Sequence, residues 1–404
     1  MAAGNITRLR DLMQAEELDA VIAFTSENFR WASGYQPAAL ILKATGAFMT
    51  LIPADPKQDT GMIVSAFDVQ WARERADIAD IRAIDLWVEI DELAVAEAGA
   101  GEVRPKEVQF NWDQVFAFQR EMLGDRDLLN GRIGCELEAL PASFRRRLEQ
   151  ELGDVTWVDV ADLFQEARMI KLPHEVDLLR KSVEMAEFGM RTVMLDSDPR
   201  GKSVSQLRAQ FEIAVMQSLM DDPGLGGYES CRIYMTAGGT IGPNTVRNDR
   251  IVKDGDIVWI DTGVRFEGYE ADIGRTFQVG QPTELTERIA GALAAGSQAG
   301  FELLTGPGVI HSAVYKATQA AVRENGLPWY TRGHFGHGLG VGGGEQHPFI
   351  EEAEDRPFEV GMCFAYERPY YVRGLGGFQN EDNFVVAEFG MERFGSMPHG
   401  LIRV

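Results

Sequence analysis

Two carboxylates eleven residues apart constrain this chain more than any other feature. They are Asp261 and Asp272, the ends of Asp261-Thr-Gly-Val-Arg-Phe-Glu-Gly-Tyr-Glu-Ala-Asp272. Ile257-Val-Trp-Ile260 precedes the first and reads as a buried strand; Ile273-Gly-Arg-Thr-Phe277 follows the second and reads as a returning one. A hairpin of this kind carries both carboxylates to one end of a sheet. Two carboxylates held close repel, so at neutral pH they need a cation or a shared proton.

Groups that would complete a cation site lie in the last seventy residues. His337 stands in the glycine-rich turn Gly336-His-Gly-Leu-Gly340, where backbone and imidazole can approach a ligand closely. Glu367 follows the apolar run Phe364-Ala-Tyr, and Glu381 opens a strand-like run, Glu381-Asp-Asn-Phe-Val-Val386. Four carboxylates and one imidazole are too rich in oxygen for a structural zinc site. They suit a pair of divalent ions with positions left open for water and substrate.

The ordered set Asp261, Asp272, His337, Glu367, Glu381 resembles the ligand pattern of the pita-bread metallopeptidases, a family that includes prolidase-like dipeptidases and the metal-free creatinase. The resemblance extends upstream. Arg8 to Met13, Leu18 to Phe24 and Asn28 to Tyr35 look like the start of a creatinase-type N-terminal domain, and Met169 to Arg180 like the opening of the catalytic domain. Pro173 suits a helix start, with Glu175 and Asp177 near its first turn. The resemblance implies an α+β fold: a creatinase-like α/β domain over residues 1–168 and a pita-bread catalytic domain over 169–404. It also implies two divalent ions (Mn, Zn, Co or Fe), a small-molecule or dipeptide substrate, and a homodimer.

The match departs from the family where substrate is bound and protonated. A His is expected seventeen residues before Asp261, and Asn244 stands there. The expected His-Glu-x-Pro run is replaced by Gly344-Glu345-Gln346-His347-Pro348, with His347 nearby. An Arg is expected two residues before Glu381, and Gln379 stands there. Asn244, Tyr366, Tyr370 and Gln379 are therefore the expected substrate-binding residues, with Arg373 a further substitute. Glu367, His347 and His334 are the expected catalytic ones. The expected activity is hydrolysis of a C–N bond in a small substrate, nearest to an Xaa-Pro dipeptidase. The alternative is a non-peptidase on the same frame, either a metal-dependent lyase resembling dimethylsulfoniopropionate lyase or a small-molecule amidohydrolase.

Composition narrows the partners. A chain of 404 residues exceeds one ordinary core, so two domains are expected. A net charge of −23 argues against nucleic acid, because no phosphate-neutralising surplus exists. The run Arg145-Arg-Arg147 reads as a solvated helix face. Cys135, Cys231 and Cys363 have no paired spacing, which suits a reducing compartment. With no secretory signal and no membrane span in the sequence, a cytoplasmic location is expected. Residues 175–195, 203–219, 285–304 and 311–325 read as helices, residues 47–52 and 61–65 as strands, and residues 88–101 as a surface helix. Five glycines between Gly338 and Gly344 make a tight or mobile loop after His337.

Overall fold

A computed structural model of the protein describes residues 3–37, 46–85, 93–98, 111–221, 227–244, 247–344 and 346–404. Glu345 lies outside the described residues, as do parts of 88–101, of which Leu93–Ala98 is helical. The chain separates into two compact units, Met1–Arg168 and Met169–Val404.

The first unit is built on a mixed sheet. Its strands are β1 (Ala20–Ala23), β2 (Met49–Pro53), β3 (Gly61–Ser65), β4 (Asp80–Ile84), β5 (Arg132–Cys135) and β6 (Thr156–Asp159), in the order β4-β3-β2-β1-β5-β6. β1 to β3 and β5 are buried almost throughout, as expected of strands covered on both faces. Glu136 is buried at the end of β5. It accepts hydrogen bonds from Phe24 N, Thr25 N, Thr25 Oγ1 and Asn28 Nδ2, which fixes the entry into the helix Ser26–Ser33. The Arg145–Arg147 run lies on the helix Ala142–Glu151, where Arg145 pairs with Glu149 and Arg147 with Asp113, a solvated face as expected.

The second unit is an almost wholly antiparallel sheet with long helices. Its strands are β7 (Tyr228–Ala237), β8 (Ile257–Phe266), β9 (Tyr269–Glu270), β10 (Ile273–Gln278), β11 (His334–Gly338), β12 (Gln346–Glu351), β13 (Cys363–Glu367), β14 (Tyr370–Val372), β15 (Gly376–Phe378), β16 (Glu381–Ala387), β17 (Gly390–Arg393) and β18 (Leu401–Arg403). The main path runs β12-β11-β13-β16-β10-β8-β7, and β14 pairs with β15 separately. The four expected helices form at Pro173–Met194, Val204–Asp221, Glu284–Leu303 and His311–Glu324, within two residues of the sequence reading at each end. Pro173 opens the first, and Glu175 accepts from the Leu172 N–H at 2.7 Å, which satisfies one orphan donor of the helix start.

That long helix holds the carboxylate hairpin. Ser182 Oγ accepts from Ala271 N at 2.8 Å and donates to the Val264 carbonyl, while Tyr269 Oη donates to Glu175 at 2.7 Å. The hairpin turns at Glu267 and Gly268, both with positive φ (47° and 84°), the conformation a two-residue turn between twisted strands demands.

Side chains alternate between the two faces of each strand. One face of the sheet carries Asp261, Glu367, Glu381 and His337. The other carries Arg275, Asp382, Phe364, Tyr366 and Phe384, which join the core beneath the helices. Asp382 is the polar centre of that back face. Its carboxylate lies 2.7 Å from Arg275, 3.5 Å from Arg368, 3.0 Å from Arg393 and 3.1 Å from His399 Nδ1. Burial alone would raise its pKa. Arg275, His399 and Arg393 more than reverse that and hold it far below the usual carboxylate range.

A depressed folded-state pKa contributes stability that is complete above the unfolded value, near 4, and is lost as pH falls below it. Asp382→Asn should therefore cost about 3–5 kcal/mol at neutral pH, because it leaves buried arginines unpaired. The gap between wild type and variant should narrow as pH falls below about 4 in urea-unfolding curves. A gap that is constant from pH 7 to pH 3 would contradict the assignment.

Candidate metal centre

The strand register builds the site as a row. Asp261 on β8 faces Gly274 on β10, Gly274 faces Glu381 on β16, and Glu381 faces Glu367 on β13. Neighbouring strands lie about 4.8 Å apart, so this row places three carboxylates across one end of the sheet. Gly274 is the gap in the row. A Cβ there would lie 2.1 Å from Gln379 Cγ and 3.1 Å from Glu381 Oε2, so any side chain would enter the site. His337 arrives from β11 on the same face, opposite Ala365. Asp272 immediately precedes β10, and its backbone is clamped by Asn383, which accepts from Asp272 N at 3.0 Å and donates back to the Asp272 carbonyl.

Asp272, His337 and Glu381 offer ligand atoms that all lie within 4.8 Å of one another. His337 Nδ1 is 3.1 Å from the Gly338 carbonyl, which fixes the proton on Nδ1 and leaves Nε2 to face Asp272 at 3.9 Å. Glu381 is buried, and burial pushes its carboxyl well above the ordinary range. Asp272, Asp261 and Glu367 push it the same way, against the one lowering hydrogen bond from Gln379. Burial and Asp272 likewise raise Asp261, outweighing the pull of Arg232. This excess of negative charge, with an imidazole nitrogen turned toward it, fits a divalent cation.

Protein cations and donors already engage every carboxylate of the set. Arg232 Nη1 donates to Asp261 at 2.8 Å and Nη2 to Asp272 at 2.6 Å. Arg332 donates to Glu367 Oε1 at 2.8 Å. Gln379 Nε2 donates to Glu381 Oε2 at 2.9 Å and to Glu367 Oε2 at 3.3 Å. Beside Asp261 and Asp272 lies a cavity of about 720 Å³ walled by Arg232, Tyr234, Arg265, Glu270 and Gly343. Gly343 is pressed against that wall: a Cβ would lie 2.7 Å from Arg265 Nη2 and from Glu270 Oε2.

The other expected site residues are placed less uniformly. His334 joins the set, with Nδ1 3.7 Å from Glu367 Oε1 and its ring 6.2 Å from that of His337. His347 is exposed; its ring packs on Phe349 at 4.6 Å, and Phe349 in turn meets His334 at 5.1 Å. Gln379 is buried between the two glutamates it bonds, so it positions ligands instead of lining open space. One substrate-binding expectation, Tyr366, is corrected. Tyr366 is one residue out of phase with Glu367 and points into the core, where its hydroxyl donates to the Gly296 carbonyl at 3.0 Å and meets Thr318 Oγ1 at 2.5 Å. Asn244 is exposed, and its Oδ1 accepts from Arg247 N at 3.1 Å. Tyr370 accepts from Trp329 Nε1 at 2.9 Å.

Tyr371, the next residue, faces the site instead. Its ring meets Trp259 edge-on at 5.5 Å, and its hydroxyl is pushed up by burial and by the charges of Asp261 and Glu367. Arg373 lies on the exposed turn between β14 and β15. Arg232, Arg332 and Tyr371 are thus site residues that the sequence reading missed.

Residues 177–388 match the metallopeptidase family M24, and residues 5–170 match the creatinase/prolidase N-terminal domain. The chain belongs to metallopeptidase family M24. Among similar proteins, an Xaa-Pro dipeptidase of Pyrococcus horikoshii is 24% identical over 277 residues, 67% of this chain and 74% of that one. A probable dipeptidase PepE of Mycobacterium bovis is 29% identical over 270 residues, 66% of this chain and 69% of that one. The solved Xaa-Pro dipeptidase of Bacillus anthracis superposes with a TM-score of 0.78 at 20% identity, over 99% of both chains. The protein is a metal-dependent hydrolase with the pita-bread α+β fold and a creatinase-type N-terminal domain, as the sequence reading expected. The lyase alternative is not favoured by these relatives.

Two substitutions separate site from core. Asp272→Asn should abolish metal retention through dialysis while leaving the circular dichroism spectrum intact; retention of the full metal content would remove Asp272 from the site. Tyr366→Phe should leave metal content unchanged and cost about 1 kcal/mol in unfolding, the net worth of a buried hydrogen bond. A change confined to substrate affinity would restore Tyr366 to substrate binding.

Proposed function

We propose that this enzyme is an Xaa-Pro-type dipeptidase that cleaves the amide bond of a short peptide at a pair of divalent ions. The observation that carries the reading is the in-register row Asp261, Glu381, Glu367 with Asp272 and His337 beside it. The dipeptidase names of the relatives support the substrate class. Asp272, His337, Glu367 and Glu381 would hold one ion, and Asp261 and Asp272 the other. Four carboxylates to one imidazole favour manganese over the softer candidates zinc, cobalt and iron.

Ions at these positions would lower the pKa of a bound water and polarise the substrate carbonyl. The chain's own groups do the rest. Glu367 takes the water's proton, its two oxygens held in fixed directions by Arg332 and Gln379. His334, 3.7 Å from Glu367 Oε1, returns a proton to the leaving nitrogen in place of the exposed His347. Tyr371, whose hydroxyl is pushed up by desolvation and by the charges of Asp261 and Glu367, would donate to a developing oxyanion.

The setting is proposed to be cytoplasmic and the assembly a homodimer. Cys135, Cys231 and Cys363 are all free, which supports a reducing compartment. Among the described residues no helix is long and apolar enough to cross a membrane. Ile213, Met216 and Met220 form an exposed apolar stripe on the helix Val204–Asp221, which supports self-association.

Metal-stripped protein, reloaded separately with manganese, cobalt, zinc or iron(II), should hydrolyse Xaa-Pro dipeptides, fastest with manganese. Glu367→Gln and His334→Ala should each lower kcat by about a hundredfold or more. No hydrolysis of any dipeptide under any metal would overturn the reading. An unaltered kcat for His334→Ala would return the acid's role to His347.

A further inference from the structure

The second ion position, between Asp261 and Asp272, already holds a cation of the chain itself. Arg232 spans both aspartates with its two Nη groups, and its Nε donates to Glu270 at 2.9 Å. Three of its five N–H groups make charge-assisted bonds to three carboxylates.

The placement is built by the fold. Arg232 stands opposite Gly263 on the neighbouring strand, two residues from the Tyr234–Asp261 pair, so it emerges on the site face. Its carbonyl accepts from Thr262 Oγ1 at 2.6 Å, which fixes the backbone. Gly263 leaves the room: a Cβ there would lie 2.0 Å from the Ala271 carbonyl and 2.9 Å from Glu270 Cγ. Glu270 is buried, belongs to no ligand set, and is held from its other oxygen by Arg265 at 2.7 Å. Its evident work is to orient Arg232. The ring of Tyr234 lies 5.1 Å from the guanidinium carbon.

An ion entering between Asp261 and Asp272 meets both an occupied acceptor set and a like charge. We infer that Arg232 is a built-in competitor for the second metal ion: the ion at Asp272, His337, Glu367 and Glu381 binds tightly, and the ion at Asp261 binds only by displacing Arg232. On displacement the guanidinium keeps its Nε bond to Glu270, and its Nη ends turn into the adjoining cavity. The inference rests on the two-ion reading of the site and not on the peptide substrate.

The test is manganese titration of the metal-stripped full chain, followed by calorimetry and by the paramagnetic resonance of free manganese. Wild type should take up one ion tightly and a second at least about tenfold more weakly, since each displaced charge-assisted bond is worth at least that factor. Arg232→Gln should tighten the second step by about tenfold or more and leave the first within about threefold. Arg232→Lys, which keeps the charge but cannot span both aspartates, should fall between them, and it decides the matter if the glutamine variant does not fold. Two ions of equal affinity in wild type would overturn the inference, as would a second step that neither variant strengthens. Metal uptake by none of the proteins would remove the two-ion reading itself. Failure of peptide hydrolysis alone would leave these binding steps standing.

Discussion

Like charges brought to one end of a sheet must be answered by cations, and the second unit is organised around that requirement. Asp261, Asp272, Glu367 and Glu381 converge because three of them share one register row and the fourth is clamped beside it by Asn383. Burial strengthens their mutual repulsion, since less solvent remains to screen it. The fold answers with donors from several directions: Arg232 from β7, Arg332 from the approach to β11, and Gln379 from the approach to β16. Divalent ions are the remaining answer, and they must compete with these donors for the same oxygens.

The glycines of this unit serve that arrangement at specific points. Gly274 interrupts the carboxylate row where a side chain would strike Gln379 and Glu381. Gly263 keeps a neighbouring position open so that Glu270 can fold inward and hold Arg232. Gly343 brings the loop after His337 against Arg265 and Glu270 without filling the cavity. In each case the missing side chain is what allows a charged one to reach its partner.

What could be read from the sequence was local. The spacing of Asp261 and Asp272 around a turn, the glycines flanking His337 and the strand context of Glu367 and Glu381 are short-range patterns; the structure groups Asp272, His337 and Glu381, with Asp261 and Glu367 on the register row of Glu381. Strand phase was harder to read. Tyr366 and Glu367 are adjacent, so one faces the core and the other the site, and an aromatic beside a ligand gives no sign of which. The same uncertainty passed over Tyr371. Arg232 and Arg332 reach the site through pairings between strands distant in sequence, which no local pattern encodes.

Glu381 and Asp382 show how far environment decides the character of a carboxylate. They are neighbours on β16, equally buried, and they point to opposite faces. Asp382 meets Arg275, Arg368, Arg393 and His399 and is held far below the usual range. Glu381 meets three carboxylates and one neutral amide and is pushed well above it. The first is a finished interaction whose charge is balanced within the protein, and it anchors the strand. The second is an unfinished one, rigidly supported by the first through a single peptide unit. A strand fixed on its back face can therefore hold a repelling group on its front face without yielding. That rigidity lets the site keep its geometry against the repulsion of its own charges.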